Sequence, residues 1–281
     1  MHDDEMPLHD AAGRGSLDEI VELAASVKDV DAEAEGRTAL WVAVYEGHHD
    51  VARALVEAGA DPWRPMMGGW SPGRLSLAGP EPGLFDRPAE VDGLTDDEAE
   101  VVAEARRLTT ALGARYFDGM GMACVAGIDA AEAARRLEIT AEDVDPEEFL
   151  DEIDPFDEKN LNLVGLTDVP GGCVVAQPWG PMPQTAGVLK PLAEGTTCYG
   201  LYVNPRSGNE GSSVRDGEIA GWDLTPGAAD TPQEILSAFL YRDNAVARAC
   251  AAAGLRLAEA RAITGPPDVW ARLPERLVEP G

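Results

Sequence analysis

Histidine is scarce in this chain of 281 residues: His2, His9, His48 and His49, with none beyond residue 49. That rules a Ser/His/Asp or Cys/His nucleophile pair out of most of the chain, and a histidine-ligated metal site with it. Cysteine is as sparse. Cys124, Cys173, Cys198 and Cys250 lie far apart without a Cys-x-x-Cys spacing. Neither zinc nor a disulfide framework is expected, and a reduced, cytoplasmic setting is. No apolar run approaches the roughly 18 residues of a membrane span. The opening Met1-His2-Asp3-Asp4-Glu5 is acidic and polar, where a signal peptide would be basic and then apolar. No Gly-Lys-Ser/Thr occurs, and Gly119-Met120-Gly121 precedes a strand-like run where a dinucleotide fingerprint would follow one. No cofactor is expected. Lysine is nearly missing (Lys28, Lys159, Lys190 against 19 arginines), a bias that fits a GC-rich bacterial genome and bears on no mechanism.

What abounds is acid. The net charge is −29. Phosphate would be repelled, so nucleic acid is excluded as a ligand. Solubility and attraction to a basic protein partner both remain open. Residues 80–160 alone carry −16. Within them, residues 142–158 hold ten acids in 17 positions and no base but Lys159 just beyond. A calcium loop would need a glycine at its sixth position, and none occurs between Gly127 and Gly165. Phe149, Leu150, Ile153 and Phe156 are interleaved, so part of the run can pack as a short helix. The remaining readings are a solvated loop or a surface facing a partner.

Two N-terminal stretches repeat each other. Leu8 and Leu40, Ala11 and Ala43, and Gly15 and Gly47 are each 32 positions apart. Leu40, Ala43 and Val44 share a helical face, Thr38 precedes them as an N-cap, and Gly47 ends the helix. Val51, Ala52, Leu55 and Val56 give a second helix, and Ala58-Gly59-Ala60-Asp61 turns the chain. In the first copy Ser16-Leu17-Asp18-Glu19 reads as a capping box. A third copy starts at Gly69-Trp70-Ser71-Pro72 and is cut short by Gly79-Pro80-Glu81-Pro82-Gly83. This period and wording resemble the ankyrin repeat, which implies stacked helix pairs and protein binding. Two and a half repeats fall short of the roughly three needed for independent stability, so the array is expected to lean on the remainder of the chain.

The expected organisation is therefore ankyrin-like repeats over 6–79, a linker over 80–94 and an α+β domain over 95–281, with an antiparallel sheet flanked by helices. Thr95-Asp96-Asp97-Glu98 and Thr231-Pro232-Gln233-Glu234 are capping boxes, and Asp129 caps another helix. Met120–Ala126, Asn162–Leu166, Cys173–Gln177, Gly187–Leu189, Thr197–Val203, Ser212–Arg215 and Glu218–Leu224 read as strands in a meander, with Asp216-Gly217 a hairpin turn. One helix is expected from Ile235 through Ala252 to Gly254, and a last short one near Asp268–Leu277. Asn204–Ser213 reads as a long hairpin loop. The segments Ala114–Gly127, Asp129–Leu137, Gly172–Trp179, Leu189–Tyr202 and Asp216-Gly217-Glu218-Ile219 leading to Asp223 resemble the actinobacterial DUF6461 family of unknown function. That resemblance implies an α+β domain and supplies no catalytic residue.

The expected function is non-enzymatic protein binding. Its finer form is an inhibitor or immunity protein that neutralises a basic toxin or nucleic-acid-acting enzyme. A scaffold or regulatory adaptor is the alternative, and an enzyme of unknown type the third. In ankyrin proteins partners touch the turn tips and the exposed side of each first helix. The matching positions are Arg14, Arg37, Tyr45, Glu46, Trp63 and Trp70, of which the aromatics and arginines are the types that dominate interface energetics. The acidic run adds Glu147, Glu148, Asp151 and Glu152. Trp63 and Trp70 have the competing role of packing the truncated last repeat onto the second domain. His9 is expected to hydrogen-bond nearby backbone, and His48 and His49 to sit in an exposed turn.

Overall fold

The structure, a computed structural model, describes residues 6–113, 119–142, 144–154, 157–204, 206, 208–223 and 231–278. Expectations placed on His2 and the rest of Met1–Glu5, on residues 114–118, on Asp143 and Phe156, on Pro205 and Ser207 of the hairpin loop, and on Leu224 lie outside the described residues. In chain order, α1 (Pro7–Arg14) and α2 (Leu17–Ser26) lead to a finger of β1 (Glu33–Ala34) and β2 (Arg37–Thr38). Next come α3 (Ala39–Glu46), α4 (His49–Glu57), α5 (Pro72–Ala78) and α6 (Asp96–Leu112). The second half of the chain starts with β3 (Gly121–Ala126), α7 (Ala130–Leu137), α8 (Pro146–Glu152), β4 (Leu163–Val169), β5 (Gly172–Gln177) and α9 (Ala186–Leu192). It continues with β6 (Thr197–Asn204), β7 (Gly208–Arg215), β8 (Glu218–Asp223), α10 (Pro232–Leu240), α11 (Ala245–Ala252), α12 (Arg261–Thr264), β9 (Val269–Arg272) and α13 (Glu275–Val278). Contacts divide the chain into two units: Met1–Ala103 with Gly227–Leu240, and Glu104–Pro226 with Tyr241–Gly281.

In the first unit the sequence repeat becomes a geometric one. Leu8, Ala11 and Ala12 are buried, and so are Leu40, Ala43 and Val44, 32 positions later. Both first helices end at a left-handed glycine, Gly15 at φ 70° and Gly47 at φ 80°. The closing bonds match too: Ser16 N–H donates to Ala11 O at 3.0 Å, and His48 N–H to Ala43 O at 2.9 Å. Thr38 accepts from Trp41 N–H at 3.1 Å, the expected N-cap. Ser16 is a correction: its side chain makes no cap bond. It is the single residue between Gly15 and α2, and closing α1 holds its ψ at 85°, away from the extended backbone of the Thr38 cap. The finger turns through Glu35 at φ 51° and Gly36 at φ 74°, the left-handed pair of a two-residue hairpin.

The third repeat has a turn at Met67–Gly69 and one helix, α5, started by Ser71, whose side chain accepts from Arg74 N–H at 3.1 Å, and by Pro72. Where a second helix would come, the chain runs into proline and glycine. The apolar surface left behind is covered by α10. Ile235, Leu236 and Phe239 belong to the same buried cluster as Leu40, Leu55, Trp70 and Leu75. By sequence order residues 231–240 fall with the second domain; by packing they close the array.

The second unit is a seven-stranded antiparallel sheet in the order β8-β7-β6-β3-β5-β4-β9. Its central strands are buried on both faces, hence the near-continuous apolar runs Met122–Val125 and Cys173–Ala176. On one face Ala123, Val125, Leu166, Val175 and Cys198 pack with Leu137 of α7 and Val188, Leu189 and Leu192 of α9. On the other, Cys124 of β3 meets Cys250 of α11, with 3.8 Å between sulfurs. Asp216 and Gly217 make the hairpin from β7 to β8 at φ 50° and 76°.

Several expectations are overturned, among them the long hairpin loop over Asn204–Ser213, where Gly208–Arg215 is strand β7 paired with β6. Gly187–Leu189 is helical, because Val188, Leu189 and Leu192 form one face of α9 against the sheet. The helix expected over 235–252 is two: Asn244 accepts from Ala247 N–H at 2.9 Å and starts α11 anew, although apolar spacing runs through the break. The segment 268–277 is mostly strand: Val269–Arg272 pairs with β4 as the sheet's edge before the one-turn α13. The sheet is also no simple meander, since β3 sits between β5 and β6.

Candidate functional site

The first unit carries a groove of about 760 Å³ between α1 and the finger. α1 contributes His9, Asp10, Gly13 and Arg14; the finger contributes Glu33, Ala34, Glu35 and Arg37; Val42 of α3 lies at the back. His9 Nε2 is 2.9 Å from Arg37 O, so the ring fastens helix to finger, the structural role expected of it. Arg14 pairs with Glu19 at 2.6 Å and Arg37 with Glu35 at 2.8 Å, all four side chains well exposed. Exposed pairs of this kind contribute about 0–1 kcal/mol, so a partner's carboxylate or carbonyl can replace either glutamate at little cost. The lining holds three acids against two arginines, close to balance in a chain of −29.

At the other end of the array, a cavity of about 580 Å³ is lined by Trp63, Pro65, Ser71, Arg74, Leu94 and Thr95 among others. Arg74 is fully engaged there. Its guanidinium lies 4.4 Å from the Trp70 ring centroid and donates to both Glu98 carboxylate oxygens at 2.9 and 2.7 Å. Glu98 also accepts from Thr95 N–H at 2.8 Å, the expected capping box of α6. Trp63 is half-buried and its Nε1–H donates to Asp86 O at 3.2 Å.

The sequence-nominated residues separate into groups. Arg14 and Arg37 come together in the first groove. Glu46 is exposed at the end of α3. Trp63 lines the second cavity. Tyr45 is half-buried with its ring 6.0 Å from that of Phe239. Trp70 is fully buried and donates from Nε1 to Pro232 O at 2.9 Å, so its packing role is the one realised. His48 and His49 are less exposed than a bare turn would leave them. His48 Nε2 is 3.1 Å from Gly13 O, and His49 Nδ1 is 3.0 Å from Glu81. With Arg53 beside it, His49 holds the Glu81 carboxyl below its ordinary range.

In the second unit the acidic run is anchored. Asp145 accepts from Glu147 and Glu148 N–H at 3.0 Å each and starts α8. Phe149 meets the Trp270 ring edge-on at 6.0 Å, Trp179 stacks on Trp270 at 6.3 Å, and Trp270 Nε1–H donates to Pro146 O at 3.2 Å. Glu142 pairs with Arg272 at 2.8 Å. Glu147 and Glu148 face solvent; the side chains of Asp151 and Glu152 lie outside the described set. Trp270 went unnoticed in the sequence because its segment reads as a helix. Burial pushes the Cys173 thiol up to about 12 and Cys124 and Cys198 upward as well. Thiols held neutral in this way are poor nucleophiles.

In the comparisons with known proteins, residues 1–66 match the family model for ankyrin repeats (3 copies). Residues 1–66 are ankyrin repeats. That array is a protein–protein interaction fold, so protein is the class of partner it takes. The matched stretch stops short of α5, and it lends nothing to the resemblance of residues 95–281 to the DUF6461 family. The comparison with curated proteins finds no match. No described helix is long and apolar enough to cross a membrane.

Proposed function

We propose that the chain is a non-enzymatic binding module whose protein partner docks in the groove between α1 and the finger, with Arg14, Arg37 and Glu46 as contacts. The observation that carries this reading is the meeting of two exposed, weakly committed arginines over a concave surface of about 760 Å³. The finer reading is an inhibitor or immunity protein for a basic toxin or nucleic-acid-acting enzyme. It is supported by the net charge of −29 and by the exposed Glu147 and Glu148, which would speed encounter with a positive surface. The near charge balance of the groove favours a second reading, a scaffold or regulatory adaptor that leaves its partner active. Neither reading calls on the second unit for chemistry.

A photo-crosslinking residue at position 37, with a control at Glu57 on the second helix of its repeat, tests the docking. A partner captured from 37 and not from 57 is the expected result; equal capture from both would remove the groove from the account. Titrating the captured partner's own activity then separates inhibitor from scaffold.

A further inference from the structure

The end of the array is built to receive a helix. α10 is a nine-residue amphipathic helix opened by a reciprocal capping box, Thr231 N–H to Glu234 Oε2 at 2.9 Å and Glu234 N–H to Thr231 Oγ1 at 3.2 Å. Ile235 and Phe239, one turn apart, are 3% and 2% exposed within the array's own cluster. The receiving surface is shaped around them. Gly68, at φ 55°, has no room for a side chain: a Cβ there would stand 2.8 Å from Ile235 Cδ1 and 3.3 Å from Pro232 Cα. A Cβ on Gly79 would meet Phe239 Cζ at 3.4 Å. Tyr45 offers its ring to Phe239, and Trp70 donates its indole N–H to Pro232 O, the first-turn carbonyl of the arriving helix. Two of the residues that the repeat pattern nominates for partner contact, Tyr45 and Trp70, are thus spent on a segment more than 150 residues away in sequence.

The geometry points to a helix-acceptor site at the last repeat, filled in cis by residues 231–240 as a resident ligand. The partner chemistry that fits it is an amphipathic helix with an apolar pair at i and i+4, Ile and Phe or their equivalents, entering by its N-terminal turn. The inference rests on the reading of the array as a binding module and adds a second site to it. Cis occupancy lowers the apparent affinity for any such helix by the fraction of time the site stands open. Weakening α10 therefore strengthens binding in trans.

The probe is a synthetic peptide of residues 229–242, fluorescently labelled and added to the full chain. The Ile235→Val chain, which loses one methylene of the resident helix, should bind it up to tenfold more tightly than the wild type, read by anisotropy. A peptide with both apolar anchors changed to aspartate should bind neither. In the wild-type chain, excess unlabelled peptide should speed amide exchange in residues 233–240 and leave α7 and the sheet unchanged. Equal affinity of wild type and variant, or unaltered exchange at 233–240 under saturating peptide, would overturn the proposal and leave α10 a fixed cap. These arms need no natural partner, so their failure leaves the groove at Arg14 and Arg37 standing.

Discussion

Gly15 shows how far a single residue of this chain is constrained. Its φ of 70° is costly for any residue with a Cβ, and that Cβ would stand 2.7 Å from His48 Nδ1. Gly15→Ala should therefore destabilise the first unit by about 1–2 kcal/mol, read as a shift of the urea midpoint at constant slope. An unchanged midpoint would show that α1 can end another way. Glu132 is the clearest titrating residue. Arg135 and then Arg136 hold its carboxyl down, from 4.5 to about 2. A folded value below the unfolded one stabilises above pH 4.5, and that contribution is lost as pH falls toward 2. An NMR titration should place Glu132 near 2 in the native chain, and a midpoint near 4.5 would mean that the two pairs do not persist in solution. Burial shifts the Cys124, Cys173 and Cys198 thiols the other way, upward. Native Cys124, Cys173, Cys198 and Cys250 should resist a thiol-disulfide reagent and react only on unfolding. Rapid native labelling would refute their burial.

At the scale of elements, legibility tracked how local the determining signal was. The first two repeats could be read because glycine, cap and apolar face recur at a fixed spacing, and the structure reproduces them down to the closing bonds at Ala11 and Ala43. Capping boxes at Thr95 and Thr231 were equally readable. The finger was missed because two-residue strands leave no periodicity. The strand at Val269–Arg272 was missed because four residues can be read as either period, and its pairing with Leu163–Leu166 is a contact across a hundred positions. The role of α10 was the least legible. Its helix could be predicted, but nothing local says that it closes an array which ended at Ala78. Of the nominated contacts, Arg14 and Arg37 line one groove in the structure, a meeting the repeat pattern did not state. The pattern could not tell that Trp70 faces inward, because that depends on Pro232. A fragment of residues 1–80 lacks α10 and leaves Leu75 and Trp70 uncovered. It should melt without cooperativity or aggregate; a sharp transition at the full-length temperature would show that the cap is dispensable.

For the molecule as a whole, two features of different range combine: the groove proposed to bind at contact distance and a charge of −29 that would act before contact. The charge bears mainly on association rate and is screened beyond about 10 Å at 0.1 M salt, whereas truncating a groove contact acts mainly on dissociation. Replacing Glu147 and Glu148 by glutamine should therefore slow association with a basic partner at low salt and leave the dissociation rate unchanged. An association rate indifferent to both salt and these substitutions would leave the acidity as a matter of solubility. The most direct test of the central claim, that the array binds protein through the α1–finger groove, is the dissociation constant of the crosslink-identified partner for the full chain and for its Arg14→Ala/Arg37→Ala variant. The account predicts a loss of affinity of about tenfold or more, roughly 1.4 kcal/mol, carried by faster dissociation with the melting temperature preserved. An unchanged dissociation constant in a folded variant would contradict it.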